Sequence, residues 1–67
     1  MKNIPKRLLI FSRDMENITG YSARSVRRLR RRILRYYNKK QNDFITVREF
    51  CDYMGMDEEL VQENLIG

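Results

Sequence analysis

The sequence predicts an all-α fold: a four-helix domain built as two helix-turn-helix-like hairpins, with residues 1–67 forming one unit. Three observations carry this expectation. Apolar residues recur at helical spacing in four separate segments, a glycine closes the first segment of each pair, and the surroundings of the two glycines match across 35 residues. Laying Gly20 on Gly55 pairs Ile10 with Ile45, Met15 with Phe50 and Ile18 with Tyr53. The same shift pairs Tyr21 with Met56, Ser22 with Asp57 and Val26 with Val61. Each copy reads as an apolar stretch, a short helix, a glycine, a capping residue and a second helix.

Phe11, Met15 and Ile18 lie at i, i+4 and i+7, which predicts a helix over about 12–19. Ser12 is the expected cap at its start, and Gly20 supplies the left-handed residue that ends it. Ser22 then caps a longer helix expected to run to about Asn38. On it Val26, Leu29, Ile33, Tyr36 and Tyr37 fall within an arc of roughly 100°, the face that turns inward. Lys39, Lys40, Gln41 and Asn42 form a polar connector.

In the second copy Thr46 and Glu49 make a capping box, in which each side chain satisfies an amide the helix start leaves open. Val47, Phe50, Cys51 and Met54 share one face, and Gly55 ends that helix. Asp57 caps the last helix, and Leu60, Val61 and Leu65 are expected to face inward. The basic half covers 12–38 and the acidic half 44–66. Leu8–Phe11 and Phe44–Thr46 are rich in strand formers; they pair as a short two-stranded ribbon or run as extended coil.

A chain of 67 residues buries only about 60% of the surface it exposes when unfolded, so its core is thin. There is one cysteine, Cys51, and no histidine, which excludes an intrachain disulfide, a zinc cluster and histidine acid–base chemistry. Cys51 reads as a small core residue beside Phe50, and Met15, Met54 and Met56 as packing residues. No apolar run approaches the ~20 residues a bilayer demands. The segment from Met1 to Phe11 is basic and then apolar, but too short for a signal peptide, and the expected location is the cytoplasm. No nucleophile–base pair or phosphate loop is visible, so the expectation is a non-enzyme with no cofactor, no metal, no small-molecule substrate and no membrane partner.

The net charge of +5 conceals a dipole. Residues 1–40 hold 13 of the 14 Lys and Arg against Asp14 and Glu16, a net of +11; residues 41–67 hold Arg48 against seven acids, a net of −6. Opposite the apolar face of the long helix, Arg24, Arg27, Arg28, Arg31 and Arg35 fill another arc of roughly 100°. No acid stands between Ala23 and Gln41, so three like-charge i, i+4 pairs go unrelieved, each costing roughly 0.2–0.5 kcal/mol. Repulsion kept on one face suits a phosphate-binding surface that its partner neutralises, and arginine's planar fork grips phosphate or the guanine edge with two bonds at once. The plainer alternative is a solvated face.

The stretch Ile18-Thr19-Gly20-Tyr21-Ser22-Ala23-Arg24-Ser25-Val26-Arg27-Arg28-Leu29 resembles the turn and recognition helix of helix-turn-helix DNA-binding proteins, with Gly20 as the turn glycine. That resemblance implies a small bacterial regulator, or a nucleoid or mobile-element accessory factor, binding duplex DNA. It places Ser22, Ala23, Arg24, Arg27, Arg28 and Arg31 at the positions that face the major groove, and the arginine stripe adds Arg35 to the nucleic-acid contacts. Glu16 stands where the family has a small residue, so the resemblance requires a one-residue shift or a pairing of Glu16 with Arg30. The second copy is similar to excisionase-like modules in its opening, but its acids repel DNA and mark 44–66 for packing, a homodimer interface or a basic partner. Two other readings stay open. One is an RNA- or ribosome-associated binder using Tyr36 and Tyr37; the other is a protein-interaction module whose basic helix docks an acidic partner or a second copy.

Overall fold

The structure, a computed structural model, describes residues 7–65. The basic stretch Met1–Lys6 and the end of the acidic segment, Ile66 and Gly67, lie outside the described residues. The chain order is β1 (Leu9–Ile10), α1 (Ser12–Thr19), α2 (Ala23–Tyr36), β2 (Ile45–Thr46), α3 (Val47–Met54) and α4 (Glu58–Asn64). Among the described residues the fold is mostly helical, with four helices, and 9–10 and 45–46 pair as a two-stranded antiparallel ribbon, one of the two readings the sequence left open.

The ribbon pairs Leu9 with Thr46 and Ile10 with Ile45. It buries both isoleucines, 2% and 1% exposed, at the centre of the core. Around them pack Met15 of α1, Val26 and Ile33 of α2, Val47 and Phe50 of α3 and Val61 of α4, all buried. Cys51 is buried in the same cluster, and Met54 and Met56 pack against it. Helix α1 lies on α2 and α3 on α4, with the ribbon and α3 joining the two pairs.

The predicted ends follow local chemistry. Gly20 and Gly55 both adopt left-handed backbone, φ 77° and 72°, and end α1 and α3. Ser22 accepts from the Ser25 N–H at 3.2 Å, and Asp57 from the Glu59 N–H at 2.8 Å. In the Thr46–Glu49 box, both reciprocal bonds are 3.0 Å.

Four expectations are corrected. Helix α1 is preceded by Phe11, not capped by Ser12; the free Phe11 N–H donates to Asp14 Oδ2 at 2.9 Å. Helix α2 ends at Tyr36 because Asn38 turns left-handed, φ 57°, so that the Lys39 N–H reaches the Leu34 carbonyl at 2.7 Å. Leu34, which the expected inward arc does not include, is 3% exposed and joins the core cluster. Leu60 points outward, 59% exposed, since Val61 and Leu65 suffice to cover the short α4 contact.

Candidate functional site

The outer face of α2 carries the candidate site. Val26, Ile33 and Leu34 anchor its inner side, and this leaves Arg24, Arg27, Arg28, Arg31, Arg32 and Arg35 exposed. Among the described residues the ion pairs are Arg7–Asp14 at 2.8 Å and Lys39–Glu49 at 2.9 Å, and neither involves α2. The arginine charges are thus uncompensated by any carboxylate within ion-pair distance among those residues. Ser22 is exposed, but its oxygen is committed to the cap and to the Ser25 hydroxyl at 3.2 Å.

The arginines of the predicted stripe share the exposed face of α2 but border different hollows. Arg27 and Arg31 open onto a groove of about 720 Å³ between α1, α2 and the strand-leading segment 41–45. Arg31 and Arg35 border a second hollow with Leu34 and Lys39. Arg28 turns to the other flank, with Arg32, Tyr21 and Tyr53. Arg30 is different again: its guanidinium donates to the Asp43 carbonyl at 2.9 Å, fastening the connector to α2. Both of its bonds go to connector carbonyls, so the pairing with Glu16 that the resemblance allowed is not formed.

Asp14, Glu49 and Asp52 are engaged away from the stripe. Burial pushes the Asp14 carboxyl up, but the Arg7 fork, bonded at 3.1 and 2.8 Å, and the Phe11 N–H together bring it below the usual carboxylate value. Glu49 is likewise raised by burial and brought lower overall by the Thr46 N–H and the Lys39 ammonium. Tyr37 donates its hydroxyl to Asp52 Oδ2 at 2.6 Å; that bond, with burial and the Asp52 charge, pushes the phenol up to about 12. Tyr37 packs against the core, whereas Tyr36 is 66% exposed and lies edge-on to Tyr37 and Tyr53.

Sequence reasoning missed two groove residues. In the ribbon's register the positions beyond Ile10 and Ile45 are Phe11 and Phe44. Their rings meet edge-to-face at 6.2 Å, and they stay 47% and 58% exposed. The available signal was the pairing itself: once Ile10 faces Ile45, the next residues must stand opposite one another on the other face.

Residues 24–66 match the family of the CDK-activating kinase assembly factor MAT1. No curated protein and no solved structure matches the chain. The family match begins at Arg24, inside α2, and takes in everything after it that the resemblance had divided between a DNA-reading helix and an acidic copy. It overturns the resemblance to helix-turn-helix and excisionase-like proteins, and with it the bacterial transcription regulator and DNA as the partner. The physical source of the error is that a left-handed glycine, a capping residue and apolar i, i+3 spacing describe any two short helices meeting at a turn. Within 44–66, Glu49 and Asp52 are engaged by Lys39 and Tyr37 of the same chain. Among the described residues no helix is long and apolar enough to cross a membrane.

Proposed function

The chain belongs to the family of the CDK-activating kinase assembly factor MAT1, and from that premise we propose that it is a non-catalytic module for assembling a protein complex. Its working surface is the arginine face of α2, which docks an acidic segment of a protein partner. The observation that carries this reading is that the match spans all seven arginines of α2, six of them exposed. Such a face costs its helix repulsion when free and is relieved when carboxylates approach. Arg24, Arg27, Arg28, Arg31 and Arg35 supply the charge, and Ser22 holds the helix start.

In this reading residues 1–67 act as one unit of two helical hairpins, in which 44–66 braces the basic half. Equivalent positions support it: Gly20 and Gly55 both end helices, Ser22 and Asp57 both cap them, and Met15 and Phe50 are both fully buried.

Fluorescence anisotropy with a glutamate-rich peptide tests the proposal. Arg27→Glu/Arg31→Glu should weaken binding by at least about tenfold, a loss of ~1.4 kcal/mol. Raising salt from ~0.1 M to ~1 M should weaken the wild type as the screening length falls from about 10 Å to about 3 Å. Binding untouched by charge reversal, or random-sequence duplex DNA bound in clear preference to the peptide, would overturn it.

A further inference from the structure

The groove at the ribbon end of α2 combines features that the rest of the arginine face lacks. Phe11 and Phe44 form its apolar lip, an edge-to-face pair about half exposed. Arg27 and Arg31, one helical turn apart, stand on the α2 wall, and Arg13 of α1 contributes a third cation. The lining holds one carboxylate, Glu16, and its charge balance remains positive with Arg30 included. Both walls are fastened from behind. Arg30 ties the connector to α2 through the Asp43 carbonyl at 2.9 Å, and Arg7 lies over the Phe11 ring at 5.5 Å while forking onto Asp14. Lys39 also donates to the Phe44 carbonyl at 3.0 Å, which holds that residue's backbone.

We propose that this groove takes an acidic segment with a single apolar side chain, the apolar group seated against Phe11 and Phe44 and flanking carboxylates gripped by Arg27 and Arg31. The occupant is a partner protein, argued from charge complementarity. A purely acidic chain would leave the aromatic lip in water, and a purely apolar one would leave the cations unpaired. The docking reading given above underlies this inference, which narrows the site from a helix face to one end of it. Aromatic residues and arginines set close together are the groups that dominate protein interfaces. Pre-fastened walls lower the ordering cost of binding. Arg28 and Arg32, on the opposite flank, contribute only through the general field.

The test uses the full chain and two short glutamate-rich peptides, one with a central leucine and one with serine in its place. The leucine peptide should bind about tenfold more tightly. Phe44→Ser should erase that difference, and Arg27→Gln/Arg31→Gln should weaken both peptides more than Arg28→Gln/Arg32→Gln does. Amide chemical-shift changes on the wild type should centre on Phe11, Arg27, Arg31 and Phe44, a readout independent of whether any variant folds. Equal binding of the two peptides, with both arginine pairs mattering alike, would sink the groove and leave the docking face standing. Failure of both peptides to bind would overturn the groove and the docking face together.

Discussion

Tyr37 shows how one side chain at the end of α2 links the two charged halves of the chain. Its ring packs on the core while its hydroxyl donates to Asp52 and lies 3.2 Å from the Glu49 carbonyl. Hydrogen bonding to a carboxylate favours the protonated phenol, so ionisation is pushed up to about 12. A raised folded value adds stability that is complete below the ordinary tyrosine value of 10.0 and is lost as pH climbs towards 12. Ultraviolet titration should therefore find a tyrosine ionising well above 10.0, and Asp52→Asn should return it towards that value. At acid pH the sign reverses for Asp14 and Glu49, whose carboxyls lie below their ordinary values of 3.8 and 4.5. Their contribution is present above those values and drains away as pH falls through the lowered ones. Asp14→Asn and Glu49→Gln should each flatten the acid limb of a melting-temperature profile while lowering stability at neutral pH. A profile identical to that of the wild type would show that neither interaction matters to folding.

At the scale of elements, stability resides largely in helix ends, because the helices are short. Helices of eight residues cannot persist alone in water, so each depends on its cap, its stop and its apolar face. Gly20 and Gly55 separate two contributions cleanly. Both have left-handed backbone, and a Cβ added at either meets nothing within 4 Å. Alanine there should cost only the backbone contribution, about 1 kcal/mol, with no steric addition. For a domain of this size that corresponds to a fall of roughly 4–8 °C in Tm, similar at the two positions. A much larger loss at one of them, measured by thermal melting, would mean that its turn is packed more tightly than the open space indicates.

For the molecule as a whole, the arginine face sets stability against docking. Arg24–Arg28, Arg27–Arg31 and Arg31–Arg35 repel along α2, at roughly 0.2–0.5 kcal/mol per pair, and no carboxylate among the described residues lies within ion-pair distance to relieve them. Arg24→Gln/Arg28→Gln removes two such pairs, Arg24–Arg28 and Arg28–Arg32, and should raise the Tm of the free chain by roughly 2–8 °C, since a domain of this size gains about 4–8 °C per kcal/mol. Salt should act the same way on the free protein and the opposite way on its complex with an acidic peptide. A Tm that falls steadily with added salt would contradict uncompensated repulsion on this face.

Much of this architecture was legible in the residues alone, for physical reasons that can be named. The glycine stops, the Ser22 and Asp57 caps and the Thr46–Glu49 box are contacts made within a few residues, so local spacing suffices to find them. The core positions Met15, Val26, Ile33, Phe50 and Val61 followed from periodicity, which reports one face of a helix. Leu34 and Leu60 did not: whether a residue at the edge of that face is covered depends on what another segment does. The charge of α2 was equally plain from its sequence, yet its division into flanks was not, nor was the Phe11–Phe44 lip between Arg27 and the ribbon. Sequence by itself determined four helical segments, the glycine stops and caps of most of them, and an arginine-rich exterior. Only the tertiary structure decided which arginines share a groove and with what, because pairing Ile10 with Ile45 joins residues more than thirty positions apart that no local pattern relates.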